Sequence, residues 1–171
     1  MGRSMGTGKL TLVLGGARSG KSRHAEGIVM REAPPWTYVA TAQAFDEEMR
    51  ERIAAHRAGR VAEWRTVEAP IDLVGVLGGS EPVLVDCLTL WLTNLMLAEL
   101  DVEAGVAGLE AAVVGRSGVT VLVSNEVGLG IVPDNALARR FRDAAGVLHQ
   151  RLAARADGVV LMVAGIPVTV K

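Results

Sequence analysis

The chain contains one stretch whose residue types and spacing suit phosphate chemistry, residues 15–22, which read G-G-A-R-S-G-K-S. An apolar run at residues 10–14 precedes it, and a segment with helical character follows it. The glycines allow backbone angles that turn successive N–H groups inward around phosphate oxygens, and a helix starting near Lys21 adds its positive dipole end. Lys21 would then reach the β- and γ-phosphates of a nucleotide, and the Ser22 hydroxyl would ligate Mg²⁺.

Further polar side chains fall where strand-like apolar runs end. The apolar run at residues 82–86 ends with Asp86, and the run at residues 119–124 is followed by Asn125 and Glu126. Parallel strands gather their C-terminal ends at one sheet edge, so we expect these groups and Thr41 beside the phosphate loop. Asp86 suits a carboxylate that holds Mg²⁺, although Asp also favours helix N-caps. Glu126 suits either placement of a nucleophile or metal-bound water, or satisfaction of backbone donors in the glycine-rich loop.

His56 is a candidate nucleophile on a charged amphipathic helix predicted over residues 46–60. Arg57 and Arg60 lie close to it in the sequence. Such cationic neighbours would lower the pKa of His56 and keep its imidazole neutral near pH 7, as a nucleophile requires. A histidine on a charged helix is more often a solvated surface residue, so the spacing alone leaves both interpretations open.

Alternating strand and helix patterns predict how these groups are positioned. Strands are expected at residues 10–14, 36–42, 64–68, 82–86, 119–124 and 158–164, with helices at 46–60, 71–77, 87–100, 101–116 and 134–156. We expect Asp134 to cap the last helix, which should turn Phe141, Val147, Leu148 and Leu152 inward. Residues 165–167 should turn into an antiparallel edge strand. This order predicts an α/β fold with a mostly parallel sheet flanked by helices.

Length and composition limit the classes of protein to which the chain can belong. The chain has 171 residues, 50% hydrophobic but only 4% aromatic, which suits one domain over residues 9–171 with an aliphatic core. The net charge of −1 does not favour a nucleic-acid surface. Cys87, the only cysteine, is expected as buried packing and fits a reducing cytoplasm. No apolar run reaches the ~18 residues of a membrane span. Residues 1–8 suggest a frayed leader or a cloning remnant.

Taken in order, several motifs resemble those of adenosylcobinamide kinase/adenosylcobinamide-phosphate guanylyltransferase enzymes of cobalamin biosynthesis. The motifs are G-G-A-R-S-G-K-S-R at 15–23, Y-V-A-T-A at 38–42, the D-E-E-M and R-I-x-x-H-R-x-x-R patterns within 46–60, W-R-T-V-E at 64–68, D-C-L-T-L-W-L-T-N at 86–94, S-N-E-V-G-L-G-I-V-P at 124–133, R-x-F-R-D-x-x-G at 139–146 and A-G-I-P-V at 164–168. The phosphate loop alone would not single out this family, whereas the ordered set from residue 9 to residue 171 does.

The resemblance implies a RecA-like P-loop fold and two reactions. ATP or GTP phosphorylates adenosylcobinamide, and GMP is then transferred from GTP to the resulting phosphate through a GMP-histidine intermediate at the position of His56. The implied nucleotide contacts are Gly15, Gly16, Ala17, Arg18, Ser19, Gly20, Lys21, Ser22, Ala40, Thr41, Ala42, Arg57, Ala58, Gly59, Arg60, Glu68 and Asp86. Lys21 is implied in catalysis, and Ser22 and Asp86 in holding Mg²⁺. A cytoplasmic homotrimer without nucleic-acid partners is expected.

Two other functions remain compatible with the residues. A small-molecule kinase would keep the phosphate loop and lack guanylyl transfer. A RecA-like module switched by nucleotide would bind DNA or a partner protein, although the missing basic excess argues against DNA. Labelling with α-labelled GTP separates the first from the two-step enzyme, and stimulation of hydrolysis by single-stranded DNA or by cobinamide separates the second.

Overall fold

The computed structural model of the chain describes residues 9–43 and 47–171, except for the side chains at positions 52 and 56. The expectation for residues 1–8 and the start of the predicted helix at residue 46 therefore lie outside the described residues. The elements, in chain order, are β1 (Leu10–Gly15), α1 (Lys21–Val29), β2 (Trp36–Ala40), α2 (Glu47–Ala58), β3 (Trp64–Glu68), α3 (Leu73–Val76), β4 (Val83–Asp86), α4 (Leu88–Leu97), α5 (Val102–Val114), β5 (Thr120–Asn125), α6 (Ala136–Arg155), β6 (Gly158–Val163) and β7 (Ile166–Thr169).

The strands form one seven-stranded sheet in the order β3-β2-β4-β5-β1-β6-β7. Every neighbouring pair is parallel except β6 and β7, which are antiparallel. Gly15 at the end of β1 is in register with Asn125, and Ala40 is in register with both Glu68 and Asp86. The predicted fold class is therefore confirmed, and the strand ends that carry polar residues lie along one edge of the sheet.

Alternating residues of the central strands face two separate cores. On one face, Leu12 and Leu122 pack with α4, α5 and α6, whose buried side chains include Trp91 and Leu148. On the other face, α1 packs on Val13 and its neighbours, together with a cluster of Trp36, Tyr38 and Trp64. Aliphatic side chains thus fill most of both cores, and the few aromatic ones concentrate beneath β2 and β3. Among the described residues, none of the helices is both long and apolar enough to cross a membrane.

Local hydrogen bonding changes several predicted boundaries. The helix expected at residues 71–77 is only Leu73–Val76, because the Asp72 side chain accepts a hydrogen bond from Gly75 N and caps it there. Asn135, and not Asp134, caps α6, since its side-chain oxygen lies 2.7 Å from Ala138 N. The expected cap, Asp134, was therefore wrong by one residue, at a position where the neighbouring residue is also a good cap.

Two further expectations at the C-terminal part of the chain were wrong. Val147 is 49% exposed on α6, whereas Leu148 and Leu152 are buried as expected and Phe141 is partly buried against the core. The turn before the last strand lies at Ala164 and Gly165, whose φ angles are 50° and 81°. Positive φ at two consecutive residues suits a tight hairpin, so the edge strand already begins at Ile166.

Candidate active site

The phosphate loop joins β1, in the middle of the sheet, to the start of α1. Gly20 has a φ of 89° at the N-cap of α1, a conformation that glycine adopts without strain. Lys21 is only 8% exposed, and its ammonium donates a hydrogen bond to the Gly16 carbonyl oxygen at 2.5 Å. Burial lowers the pKa of Lys21, with Cys87 and Asp86 opposing the shift. The loop therefore places a cation and a helix N-terminus together, an arrangement that binds anions.

Asp86, at the end of β4, lies within hydrogen-bond distance of two hydroxyl groups. Ser22 Oγ donates to Asp86 Oδ2 at 2.6 Å, and the Tyr38 hydroxyl donates to the same oxygen at 2.7 Å. Ser22 and Asp86 are hard oxygen donors side by side, which fits Mg²⁺ bound through one carboxylate, one hydroxyl and substrate phosphates. The part of the chain that the structure describes contains no group of three or more His, Cys, Asp and Glu residues suited to a metal.

Thr41, the residue after β2, supports the edge of the sheet where the strands end. Its side chain is fully buried, its hydroxyl donates to the Cys87 carbonyl oxygen at 2.7 Å, and that hydroxyl accepts from Cys87 N at 2.8 Å. Asn94 Nδ2 donates to the Thr41 carbonyl oxygen at 2.8 Å. Asn125 Nδ2 donates to Thr89 Oγ1 at 2.9 Å on the same α4. These hydrogen bonds fix the ends of β2 and β4 relative to α4. Cys87 is buried, as predicted.

Helix α2 and the residues after it form the opposite wall of the site. Arg57 donates to Glu68 Oε1 at 2.9 Å, so two of the predicted nucleotide contacts meet there. The Arg60 guanidinium carbon lies 3.2 Å from the centroid of the Tyr38 ring, and Arg60 Nε is 3.5 Å from Glu26 Oε1. Electrostatic attraction between a cation and an aromatic face favours this stacking. The two arginines predicted beside His56 are therefore held in place by separate partners.

A cavity of about 500 Å³ separates the phosphate loop from α2. Its lining combines the loop, the strand ends and the helix: Ala17, Arg18, Tyr38, Ala40, Ala42, Met49, Ile53, Arg57, Arg60, Thr66, Asp86, Leu90 and Asn125. A second cavity, of about 740 Å³, lies on the other side of a shared wall formed by Ala42, Ile53 and Arg57, and Ala58 and Glu68 also line it. Ala17 and Arg18 of the phosphate loop and Arg57 of α2 therefore line the first cavity, which we call the central cavity, whereas Ala58 and Glu68 line the second.

The side chain of His56 lies outside the described residues. Its backbone belongs to α2, where it follows Met49 by seven residues. Seven residues are close to two helical turns, so position 56 falls on the same helix face as position 49, which lines the central cavity. The other predicted contact in this segment, Gly59, follows the last residue of α2.

The loop after β5 is held to the phosphate loop and to α6. Glu126 N donates to the Gly15 carbonyl oxygen at 2.9 Å, and the Glu126 side chain accepts from Gly128 N at 2.6 Å. His149 Nε2 lies 2.7 Å from Ser124 Oγ, and its Nδ1 is 3.9 Å from Glu126 Oε2. Burial lowers the pKa of His149, against the opposing effect of Glu126. Glu126 therefore satisfies backbone donors, one of the two roles that the sequence left open.

Two polar residues at this edge were not singled out as site residues from the sequence. Tyr38 reaches Asp86 because it points to the same face of β2 as Ala40, two residues on, and period-two alternation could have indicated that face. His149 is one of the buried polar side chains, and its sequence neighbours on α6 gave no signal of Ser124 as a partner.

The comparisons with known proteins agree on one family. Residues 11–170 match the family described as cobinamide kinase / cobinamide phosphate guanyltransferase. The chain is 49% identical over 168 residues to the bifunctional adenosylcobalamin biosynthesis protein CobP of Pseudomonas aeruginosa, with 94% of this chain and 96% of that protein covered. It is 45% identical over 181 residues to the bifunctional adenosylcobalamin biosynthesis protein CobU of Salmonella typhimurium, with 95% and 99% covered.

Among solved structures, the chain is similar to the RadB recombinase, with a TM-score of 0.47 and 18% sequence identity over 92% of this chain and 75% of that one. The match to the family model and the two relatives extends over almost the whole length, including the phosphate loop, α2 and the strand ends described above. The chain therefore belongs to the cobinamide kinase / cobinamide phosphate guanyltransferase family.

Proposed function

We propose that this enzyme phosphorylates the aminopropanol hydroxyl of adenosylcobinamide with ATP or GTP, and then transfers GMP from GTP to the new phosphate. The products of the second step are adenosylcobinamide-GDP and pyrophosphate. One observation carries the proposal: the phosphate loop and α2, the helix of His56, line the same central cavity of about 500 Å³. A triphosphate held by the loop would extend toward that helix.

For the kinase step, the chain supplies position and charge. The buried ammonium of Lys21 and the N-terminal amides of α1 suit the terminal phosphates, whose developing negative charge they would stabilise in the transition state. Ser22 and Asp86 are the residues that would hold Mg²⁺, which neutralises phosphate charge when bound. In-line attack by the substrate hydroxyl on the γ-phosphorus needs no covalent carrier, because alignment and charge neutralisation lower the barrier.

For the guanylyl transfer, we propose His56 as the nucleophile. A neutral imidazole nitrogen attacks the α-phosphorus of GTP, a phosphorus–nitrogen bond forms, and the bond to pyrophosphate breaks. A phosphate oxygen of adenosylcobinamide phosphate then attacks the same phosphorus, and the imidazole leaves. Arg57 and Arg60 line the central cavity, and their positive charge would attract the phosphates of GTP. Direct transfer of GMP from GTP to adenosylcobinamide phosphate is difficult because both are anions. His56, as the covalent carrier of GMP, divides this transfer into two easier steps.

The finer features of the proposal follow the resemblance to the family. We include Mg²⁺ as the metal, a homotrimer as the assembly and the cytoplasm as the location. Glu68, with Ala40, Ala42 and the segment from Arg57 to Arg60, is proposed to contact the nucleotide. Glu68 and Arg57 are already paired at the wall between the two cavities, which supports their inclusion.

Incubation with α-labelled GTP and Mg²⁺ tests the covalent step. We expect a label on the protein that is labile in acid and stable in alkali, as a histidine phosphoramidate is, and we expect His56→Ala to abolish it. His24→Ala is the matched control, because His24 lies on α1 at the other side of the phosphate loop and should leave the label intact. A label that persists in His56→Ala, or no label in a protein that still phosphorylates adenosylcobinamide, would leave only a kinase.

A further inference from the structure

Tyr38 is a buried side chain that contacts both walls of the central cavity. It is 3% exposed, in the middle of β2 between β3 and β4. Its hydroxyl donates to Asp86 Oδ2 at 2.7 Å, and that oxygen also accepts from Ser22 Oγ at 2.6 Å. Two donors on one oxygen restrict how the carboxylate can rotate.

The aromatic ring of Tyr38 supports the side chain of Arg60, which lies just after the end of α2. Arg60 stacks with its guanidinium carbon 3.2 Å from the ring centroid, and its side chain is 7% exposed. Arg60 also has two polar contacts, with Nη1 donating to Thr66 Oγ1 at 3.2 Å and Nε lying 3.5 Å from Glu26 Oε1. Trp64 meets the Tyr38 ring edge-on, with centroids 6.0 Å apart and planes at 79°, which fixes the ring in turn. The aromatic face of Tyr38 is therefore one of the supports that orient Arg60.

We propose that Tyr38 is a positioning residue for the nucleotide: its hydroxyl sets the orientation of Asp86 on the metal side, and its ring sets the orientation of Arg60 on the α2 side. Tyr38, Arg60 and Asp86 line the same cavity, so one side chain aligns two groups that a bound nucleotide would contact. This role rests on the proposed function in that the central cavity binds a nucleoside triphosphate.

The two tasks belong to different atoms, so two substitutions separate them. Tyr38→Phe removes the hydroxyl and retains the ring, and should affect only what depends on Asp86. Tyr38→Leu removes both the hydroxyl and the aromatic face, and should also affect what depends on Arg60. Trp36→Phe is the matched control, because Trp36 belongs to the same aromatic cluster but packs against Trp64 and donates its indole Nε1–H to the Glu32 carbonyl oxygen.

The experiment measures binding of a non-hydrolysable GTP analogue by calorimetry, with Mg²⁺ and with EDTA, to the full-length chain. The ratio of the two affinities reports the contribution of the metal. For Tyr38→Phe we expect this ratio to fall by roughly ten- to hundredfold, the effect of one lost hydrogen bond to a charged group, with the metal-free affinity unchanged. For Tyr38→Leu we expect a further loss of roughly three- to tenfold in the metal-free affinity. Trp36→Phe should leave both values as in the wild type.

A double-mutant cycle excludes a merely structural role. In an Asp86→Asn background, Tyr38→Phe should change the metal-dependent ratio by less than about twofold, since the coupled partner is already altered. A wild-type ratio in Tyr38→Phe, equal losses in Tyr38→Phe and Tyr38→Leu, or additive effects with Asp86→Asn would each overturn the role of Tyr38. A wild-type protein that binds no nucleotide would overturn the proposed function as well, so the two failures are distinguishable.

Discussion

Replacing Gly15 by alanine should destabilise the fold at the root of the phosphate loop. A Cβ atom at this position would lie 2.6 Å from Ser19 Oγ, 2.9 Å from the Met162 carbonyl oxygen and 3.0 Å from Met162 Cβ. The serine hydroxyl can rotate away. Met162 cannot move at comparable cost, because it is in register with Gly15 in the neighbouring strand β6.

The magnitude follows from a comparison with the adjacent glycine. Overpacking in a well-packed region costs about 1–3 kcal/mol, whereas any Gly→Ala change stabilises by about 0.4–1 kcal/mol through the unfolded chain. A Cβ atom at Gly16 meets nothing within 4 Å, so Gly16→Ala should show only the stabilisation that comes from the unfolded chain. The difference in free energy of unfolding between the two variants reports this overlap together with the backbone strain of a side chain at the Gly15 φ of 158°, and we expect Gly15→Ala to be the less stable by about 1–3 kcal/mol.

Denaturant unfolding monitored by tryptophan fluorescence measures this difference, because Trp36, Trp64 and Trp91 are all buried and report the loss of the core. In thermal unfolding, the same difference corresponds to a melting temperature lower by about 2–12 °C for a domain of this size. Equal stability of Gly15→Ala and Gly16→Ala would refute the reasoning, since it would mean that β6 yields to a methyl group without cost.

Two further predictions concern buried polar groups away from the loop. Arg116→Met should destabilise the fold by about 1–3 kcal/mol, because Arg116 donates to the carbonyl oxygens of Leu77, Gly78 and Glu81, and the carbonyl of the buried Leu77 would lose a charged donor. An unfolding midpoint like that of an exposed control, Arg140→Met, would contradict this. Stability should fall as the pH drops below 6.5, the ordinary pKa of histidine, because burial lowers the pKa of His149 and the unfolded chain then binds more protons than the folded one. His149→Gln should reduce this loss of stability when the free energy of unfolding is measured as a function of pH. An unchanged dependence on pH would mean that another group causes the loss.

The fold was predictable where local chemistry dictates the structure. The motif at residues 15–22 needs only its own glycines and the preceding apolar run, and β1, α1 and the sheet edge followed from it. Asp86 and Asn125 were placed at that edge because parallel strands end together. Each of these signals lies within a few residues of the end of its own strand.

Features that depend on contacts between distant residues were not predictable. The choice between Asp134 and Asn135 as the cap of α6 could not be made from local residue types, since both are good caps and tertiary packing decides. Val147 was expected inside because it is apolar, yet the helix presents Leu148 to the core and leaves Val147 exposed. The contact of Tyr38 with Asp86 joins residues 48 apart in the sequence, and no local pattern encodes it.

The central claim is that a nucleotide in the central cavity passes GMP to His56. Peptide mapping by mass spectrometry tests it most directly: the protein is incubated with GTP and Mg²⁺, digested at alkaline pH to preserve a phosphoramidate, and its peptides are fragmented. The account predicts GMP on His56 and on no other residue. GMP on a different side chain, or unmodified peptides from a protein that still phosphorylates adenosylcobinamide, would contradict it.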